Sequence, residues 1–219
     1  MYREIFPHWG PPPNRPDLVH GQVDVWRIVP PAGADRIRSS AAGRLPGHAA
    51  DTVRRLARAA LADILGRYLG RACDVTGIRV QAGGKPYLDA PEPGVEFNLS
   101  HCADMALVAV TTGRAVGIDV EARRRVSDPL RLARRVFTAD ETALLGSLPE
   151  PRRTERFLDL WTRMEARQKT IGRGIFTDPA DPAALSSVTF RPGPDHWASL
   201  SLSPRGPTPE FRFFDYCRT

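Results

Sequence analysis

The run Val116-Gly117-Ile118-Asp119-Val120-Glu121 puts two carboxylates two residues apart in a stretch that reads as a β-strand. Side chains alternate faces along a strand, so Ile118 and Val120 point one way and Asp119 and Glu121 the other. Like charges side by side repel, and each resists being taken out of water. A chain that sets them beside an apolar strand face has reason to supply a cation. Oxygen-only donors suit a hard ion such as Mg²⁺, which takes a few carboxylates, waters and a phosphate-bearing substrate. An exposed strand edge with two solvated acids would satisfy the same hexapeptide, and D-x-E alone does not choose.

A third acid lies far downstream, in the stretch 154–169. There Leu158, Trp161 and Glu165 recur at helical spacing beside Phe157, Leu160 and Met164, which sets Glu165 at the edge of an apolar stripe. Lys169 stands one turn further on. An ordinary Glu→Lys surface pair, worth about 0.2–0.5 kcal/mol, is the competing account. The exit Ile171-Gly172-Arg173-Gly174-Ile175 argues for something tighter, since two glycines permit a close-packed helix end.

The elements that must position these groups can be read in outline. Residues 1–20 are proline-rich and read as an extended lead-in without regular structure. Residues 23–29 read as a strand, and Arg36, Arg38 and Arg44 then fall in a loop that is either a solvated basic segment or a phosphate clamp. A helix is predicted over 51–69, with Asp51 as N-cap, Gly70 as stop and Arg54, Arg55 and Arg58 in its first half. Gly83-Gly84-Lys85-Pro86 is a turn into a short extended piece; it lacks the P-loop spacing. Two strands follow, 95–102 and 105–110, joined at Ala103-Asp104. His101 beside that turn reads as a structural histidine or, with Ser100, as a phosphate donor; a Ser/His/Asp triad has no G-x-S-x-G elbow to support it. Helices are predicted over 128–136 and 139–145, strands over 186–190 and 197–202. Arg123-Arg124-Arg125 is either a solvated loop or a docking patch for an acidic partner.

At 219 residues the chain is long enough for one larger domain or two small ones. Its net charge of +6 points to anionic partners. The 3 cysteines have no C-x-x-C spacing, which speaks for a reducing compartment and against a disulfide framework. No stretch has the length of a signal-peptide core or a membrane span, so a soluble cytoplasmic protein that enters no membrane is expected. Basic charge alone does not make a nucleic-acid binder: the aromatics do not interleave with the arginines as a stacking platform would.

Taken in order, Gly84-Lys85-Pro86, Phe97-Asn98-Leu99-Ser100-His101, Val116 to Glu121, Ala133 to Phe137 with Glu141, and Trp161-x-x-x-Glu165-Ala166-x-x-Lys169-x-x-Gly172-x-Gly174 resemble the 4′-phosphopantetheinyl transferase superfamily. The likeness is to its larger monomeric type, which activates peptide and polyketide synthetases, and it covers roughly residues 20–190. It implies an α+β fold of two pseudo-symmetric halves, 1–112 and 113–219, each a small, mainly antiparallel sheet on a long helix, with the active site between them. It implies Mg²⁺ as cofactor, coenzyme A as co-substrate and an acidic acyl or peptidyl carrier protein as partner. The carrier serine would receive the 4′-phosphopantetheine, with release of adenosine 3′,5′-bisphosphate. By the same resemblance Asp119, Glu121 and Glu165 are the metal ligands, and Glu165 and Lys169 the catalytic pair. Lys169 also contacts coenzyme A, with Arg58, Lys85, Pro86, Ser100, His101, Arg36 and Arg38.

Two features depart from the family pattern. Met164 stands where lysine is usual, with Arg163 as a partial substitute, and the tail after Tyr216 lacks a further strand, which would leave the second sheet reduced or its edge open. These features motivate an alternative: a weak or inactive relative that binds coenzyme A or a nucleotide as a regulatory module.

Overall fold

The computed structural model describes residues 3–31, 47–89, 94–174, 177 and 180–217, without the side chains of 47–50. In chain order the elements are β1 (Arg3–Glu4), β2 (Trp9–Gly10), β3 (Gln22–Ile28), α1 (Gly47–Leu69), β4 (Ile78–Val80), β5 (Pro86–Leu88), β6 (Val95–His101), β7 (Ala106–Thr112) and β8 (Ala115–Ala122). They continue with α2 (Pro129–Val136), α3 (Ala139–Ser147), α4 (Arg152–Thr170), β9 (Ser186–Phe190), β10 (His196–Ser203) and β11 (Glu210–Asp215). The class is mixed α and β, as expected.

A five-stranded sheet runs β2-β11-β3-β7-β6, a four-stranded sheet runs β1-β9-β10-β8, and β4 pairs with β5 as a separate hairpin. Period-2 alternation sorts each strand between two faces. On β3, Val23 and Val25 enter a core shared by the two sheets, while Trp26 and Ile28 face α1. On β8, Val116, Ile118 and Val120 enter the shared core, with Ala198, Leu200 and Leu202 of β10. The opposite face of β8 and β10 is covered by α4. The layers therefore run α1, five-stranded sheet, four-stranded sheet, α4.

The chain ends stitch these layers together. The lead-in expected to lack regular structure contributes β1, parallel to β9 in the four-stranded sheet, and β2, parallel to β11 in the five-stranded one. Two-residue strands leave no periodic signal in sequence; partners far along the chain create them. Strand β11 lies between β2 and β3, so the terminal strand serves the sheet of the first half. It is tied there by Arg212, which donates to both oxygens of buried Asp24 at 2.7 and 2.8 Å. Tyr68 of α1 donates its hydroxyl to the same carboxylate and accepts from Trp26 Nε1 at 2.9 Å.

Helix α1 begins at Gly47, so Asp51 sits a turn inside it and is not its N-cap; Gly70, at φ +63°, follows its end as predicted. The helices at 129–136 and 139–147 carry clear N-caps. Asp128 accepts from the Arg131 amide, and Thr138 and Glu141 form a reciprocal capping box.

Candidate active site

Gly117 brings α4 down onto β8, and Gly83 brings the β4–β5 turn against the residues that follow α4. A Cβ at Gly117 would collide with the Ala166 carbonyl oxygen and the Thr170 nitrogen, and one at Gly83 with the Gly172 carbonyl oxygen. Only a bare backbone lets the helix approach this closely, and the approach sets Glu165 and Lys169 over the polar face of β8. Thr170 Oγ1, donating to the Ala166 carbonyl at 2.8 Å and the Ser201 carbonyl at 3.2 Å, secures the last turn.

Strand β8 is an edge of the four-stranded sheet, and side chains of β6 complete that edge. Asn98 Oδ1 accepts from the Ile118 amide at 3.0 Å, and Ser100 Oγ from the Val120 amide at 3.3 Å. Backbone donors that would be orphaned in the interior are thereby satisfied. The Phe97-to-His101 motif is thus in part a brace that fixes the height of Asp119.

Asp119, Glu121 and Glu165 each offer an oxygen, and these lie within 4.8 Å of one another. Asp119 is 3 % exposed. Its Oδ1 accepts from Ser100 Oγ at 2.8 Å and from Lys169 Nζ at 2.6 Å. Its Oδ2 is buried with no hydrogen-bond partner among the described residues. An orphaned carboxylate oxygen beside two further carboxylates is the chemistry a hard divalent ion answers, so these residues fit Mg²⁺. Lys169 Nζ also reaches Glu165 Oε2 at 3.4 Å and Ser100 Oγ at 3.0 Å.

Burial first, and then the charge of Asp119, raises the Glu165 carboxyl to a pKa of about 7, with Lys169 pulling the other way. Burial likewise raises Glu121, against the opposing pull of Arg124, whose guanidinium holds both Glu121 oxygens at 3.2 and 3.3 Å. Burial works against the charge of Lys169, but Asp119 and then Glu165 outweigh it and hold the ammonium protonated.

A hollow extends from the acids toward α1. Its near part, about 290 Å³, is lined by Glu165, Lys169, Asn98, Leu99, Lys85, Pro86 and the Gly83-Gly84 turn. The far part, about 430 Å³, shares Gly84, Pro86 and Leu99 and adds Arg54, Arg58 and His101. Alternation along β6 thus divides the Ser100-His101 pair: Ser100 turns into the acidic cluster and His101 into the α1 pocket. Burial, then the charges of Arg54 and Lys169, lowers the His101 pKa. Lys85 donates to the Thr170 carbonyl at 3.2 Å and pairs with Glu96 at 3.6 Å, at the end of α4. Arg36 and Arg38, with Arg44, lie outside the described residues.

Arg54, read in the sequence only as one of three arginines in the first half of α1, joins Arg58 in this pocket. Met164 is buried with Phe157, Trp161 and Trp197 in the apolar cluster that α4 shares with α2, α3 and β10. Arg163 pairs with Asp159 at 2.9 Å. The arginine triplet is likewise partly committed, since Arg123 bonds Asp195 and Glu155 and Arg124 bonds Glu121.

Residues 115–212, from β8 through all of α4 to β11, match the family model described as the 4′-phosphopantetheinyl transferase superfamily. The 4′-phosphopantetheinyl transferase HetI of a Nostoc species is 32 % identical over 216 residues, covering 90 % of this chain and 89 % of that one. The chain belongs to the 4′-phosphopantetheinyl transferase superfamily. It is a transferase. Two shorter matches agree. The transferase psf-1 of Bacillus pumilus is 38 % identical over 56 % of this chain and 48 % of its own length. The 4′-phosphopantetheinyl transferase of Bacillus subtilis is 31 % identical over 60 % of this chain and 54 % of its own. The chain thus aligns with about half of each Bacillus relative. No helix among the described residues is long and apolar enough to cross a membrane.

Proposed function

We propose that this transferase moves the 4′-phosphopantetheine of coenzyme A onto a serine hydroxyl of an acyl or peptidyl carrier protein, with Mg²⁺ as cofactor. The observation that carries the reading is the convergence of Asp119, Glu121 and Glu165 beside Lys169, with one Asp119 oxygen left without a partner. Attack of the serine Oγ on the β-phosphorus forms one P–O bond. The bond from that phosphorus to the bridging oxygen breaks, and adenosine 3′,5′-bisphosphate leaves with that oxygen. The serine proton passes to Glu165, directly or through a water. Before an ion binds, burial and the Asp119 charge raise this carboxyl to about 7; a cation at the acids would lower it and keep it ionised, ready to take the proton. Lys169 lies where its ammonium can stabilise the pyrophosphate and the leaving oxygen. Asp119, Glu121 and Glu165 would hold Mg²⁺, which when bound supplies neutralising charge to the diphosphate.

Arg54, Arg58 and His101 offer contacts to the phosphates and Pro86 a wall for the adenosine part, while Lys85 anchors the turn that carries Pro86 to the end of α4. The halves 1–112 and 113–219 then divide the work between substrate contacts and metal ligands, in a monomer acting in the cytoplasm. The test is mass spectrometry of an apo carrier protein incubated with this enzyme, coenzyme A and Mg²⁺. The expected result is a gain of one phosphopantetheine group on the serine. No gain across acyl and peptidyl carriers, with coenzyme A still bound, would favour a regulatory coenzyme A binder.

A further inference from the structure

A second cluster of unlike donors stands apart from the three acids. Cys102 and Asp104 lie in the turn between β6 and β7, and His196 opens β10, so the five- and four-stranded sheets both contribute. One donor atom from each lies within 4.8 Å of the other two. His196 Nε2 is 3.0 Å from Asp104 Oδ1, and Cys102 Sγ is 3.6 Å from the same oxygen.

From these positions we propose that Cys102 Sγ, Asp104 Oδ1 and His196 Nε2 form a binding site for Zn²⁺ or a similar borderline divalent cation, which clips the β6–β7 turn to the start of β10.

The donor spacing suits that ion. Tetrahedral Zn²⁺, with bonds of about 2.3 Å to sulfur and about 2.0 Å to nitrogen or oxygen, sets its ligand atoms about 3.3–3.6 Å apart. The two separations above fall within a few tenths of an ångström of that range. Without an ion the Cys102 thiol reaches the Asp104 carboxylate and the Met105 carbonyl, each at 3.6 Å; on losing its proton the sulfur is at a distance from which it can share a cation with that carboxylate. The backbone already holds the turn: the Cys102 amide donates to the Met105 carbonyl at 2.9 Å. His196 is 8 % exposed, and Gly193 leaves its ring room, because a Cβ there would stand 2.9 Å from Nδ1. Asp104 is exposed and Cys102 half-buried, which gives a cation its entry path and leaves a fourth position to water.

Donor chemistry separates this site from the acids. Sulfur and imidazole select Zn²⁺, Co²⁺ or Fe²⁺ over Mg²⁺, while three carboxylates suit Mg²⁺ and are held by it when it is in large excess. The two sites can therefore be filled independently.

The test uses the full-length, tag-free chain, stripped with a chelator, kept in a non-thiol reductant and held in excess Mg²⁺ so that the acids are occupied. Titration with Zn²⁺ should show one equivalent bound per chain. Titration with Co²⁺ should show a thiolate-to-cobalt charge-transfer band. Cys102→Ser should abolish that band and weaken Zn²⁺ binding at least about a hundredfold, with the far-ultraviolet spectrum unchanged. Glu165→Gln should bind Zn²⁺ like the wild type. His196 is buried, so Asp104→Asn, an exposed change, supplies the second ligand deletion and should weaken binding in the same direction. A wild type without the band, or Zn²⁺ binding that survives Cys102→Ser and vanishes in Glu165→Gln, overturns the site.

Discussion

Lys169 Nζ lies 2.6 Å from Asp119 Oδ1, joining the last turn of α4 to the middle of β8 across a buried contact. The ammonium is the counter-charge that lets this carboxylate leave water, and its second contact, to Glu165 Oε2 at 3.4 Å, ties in the acid one turn earlier. The other Asp119 oxygen has no partner among the described residues, so one lysine balances only part of the acidic charge.

Glu165→Gln keeps the size and hydrogen-bonding reach of the side chain and removes its charge and basicity. Loss of a positioned general base costs about 10²–10⁴-fold in rate, and loss of a metal ligand adds to that. Transfer to a carrier serine should therefore fall below detection while far-ultraviolet circular dichroism stays unchanged. Turnover within tenfold of the wild type would remove Glu165 from the chemistry.

Gly117→Ala tests how the site is assembled. The added methyl meets the Ala166 carbonyl oxygen and the Thr170 nitrogen, both backbone, so no side chain can swing aside. Helix α4 must lift from β8, at a cost of about 1–3 kcal/mol in stability by the usual measure of overpacking. The same lift carries Glu165 and Lys169 away from Asp119. Urea unfolding should show the lowered midpoint, and isothermal titration should show weakened Mg²⁺ binding. A variant as stable as the wild type would mean that the contact is looser than described.

The reach of the sequence can be judged from the same residues. Alternation in 116–121 correctly set Asp119 and Glu121 opposite the apolar face, because a strand's period follows from backbone geometry alone. Helical spacing placed Glu165 and Lys169 on one side of α4 for the same reason. What stayed hidden depends on distant partners. Gly117 reads as a filler until α4 lies on it, and Asn98 and Ser100 cannot be recognised as braces for β8 before the two sheet edges meet. Met164 is legible as a departure from the motif but not as a member of the apolar cluster it joins, because a motif records a position and not the face on which it lies. Strands β1 and β2 are too short to have a period at all.

Asp24 supplies a prediction about stability, away from the chemistry. It is 1 % exposed and is held by Arg212 of β11 and Tyr68 of α1. Removing one partner from a buried ion pair costs about 3–5 kcal/mol, because the remaining charge is stranded. Tyr68→Phe removes one donor to the carboxylate and the acceptor of Trp26 Nε1, and should cost about 1–3 kcal/mol. Arg212→Met should therefore be the more damaging of the two in denaturant unfolding. Equal or reversed losses would show that the aromatic contacts of Trp26 with Tyr68 and Phe214 matter more than the charge pair.

The α1 pocket can be tested through a proton. Before ligand binds, burial and then the charges of Arg54 and Lys169 keep the His101 pKa below its ordinary value, so the ring is neutral at neutral pH. A lowered imidazole pKa means that the folded chain resists a proton that the unfolded chain accepts. The resulting loss of stability sets in as pH falls through the ordinary imidazole value of about 6.5. A phosphate group beside the ring reverses the preference, since an adjacent anion favours imidazolium. Coenzyme A binding near pH 6 should then take up protons, read by calorimetry as heats that differ between buffers of unequal ionisation enthalpy. His101→Asn should reduce that buffer dependence, leaving the part carried by Glu165 and the ligand's own phosphate. Arg58→Ala should preserve the buffer dependence while weakening affinity by about 1–3 kcal/mol, the value of a charge-assisted contact. A buffer dependence unchanged in His101→Asn would place the phosphates away from His101. An unchanged affinity in Arg58→Ala would place them away from Arg58, and losing both contacts would leave the α1 pocket without a role in holding the nucleotide.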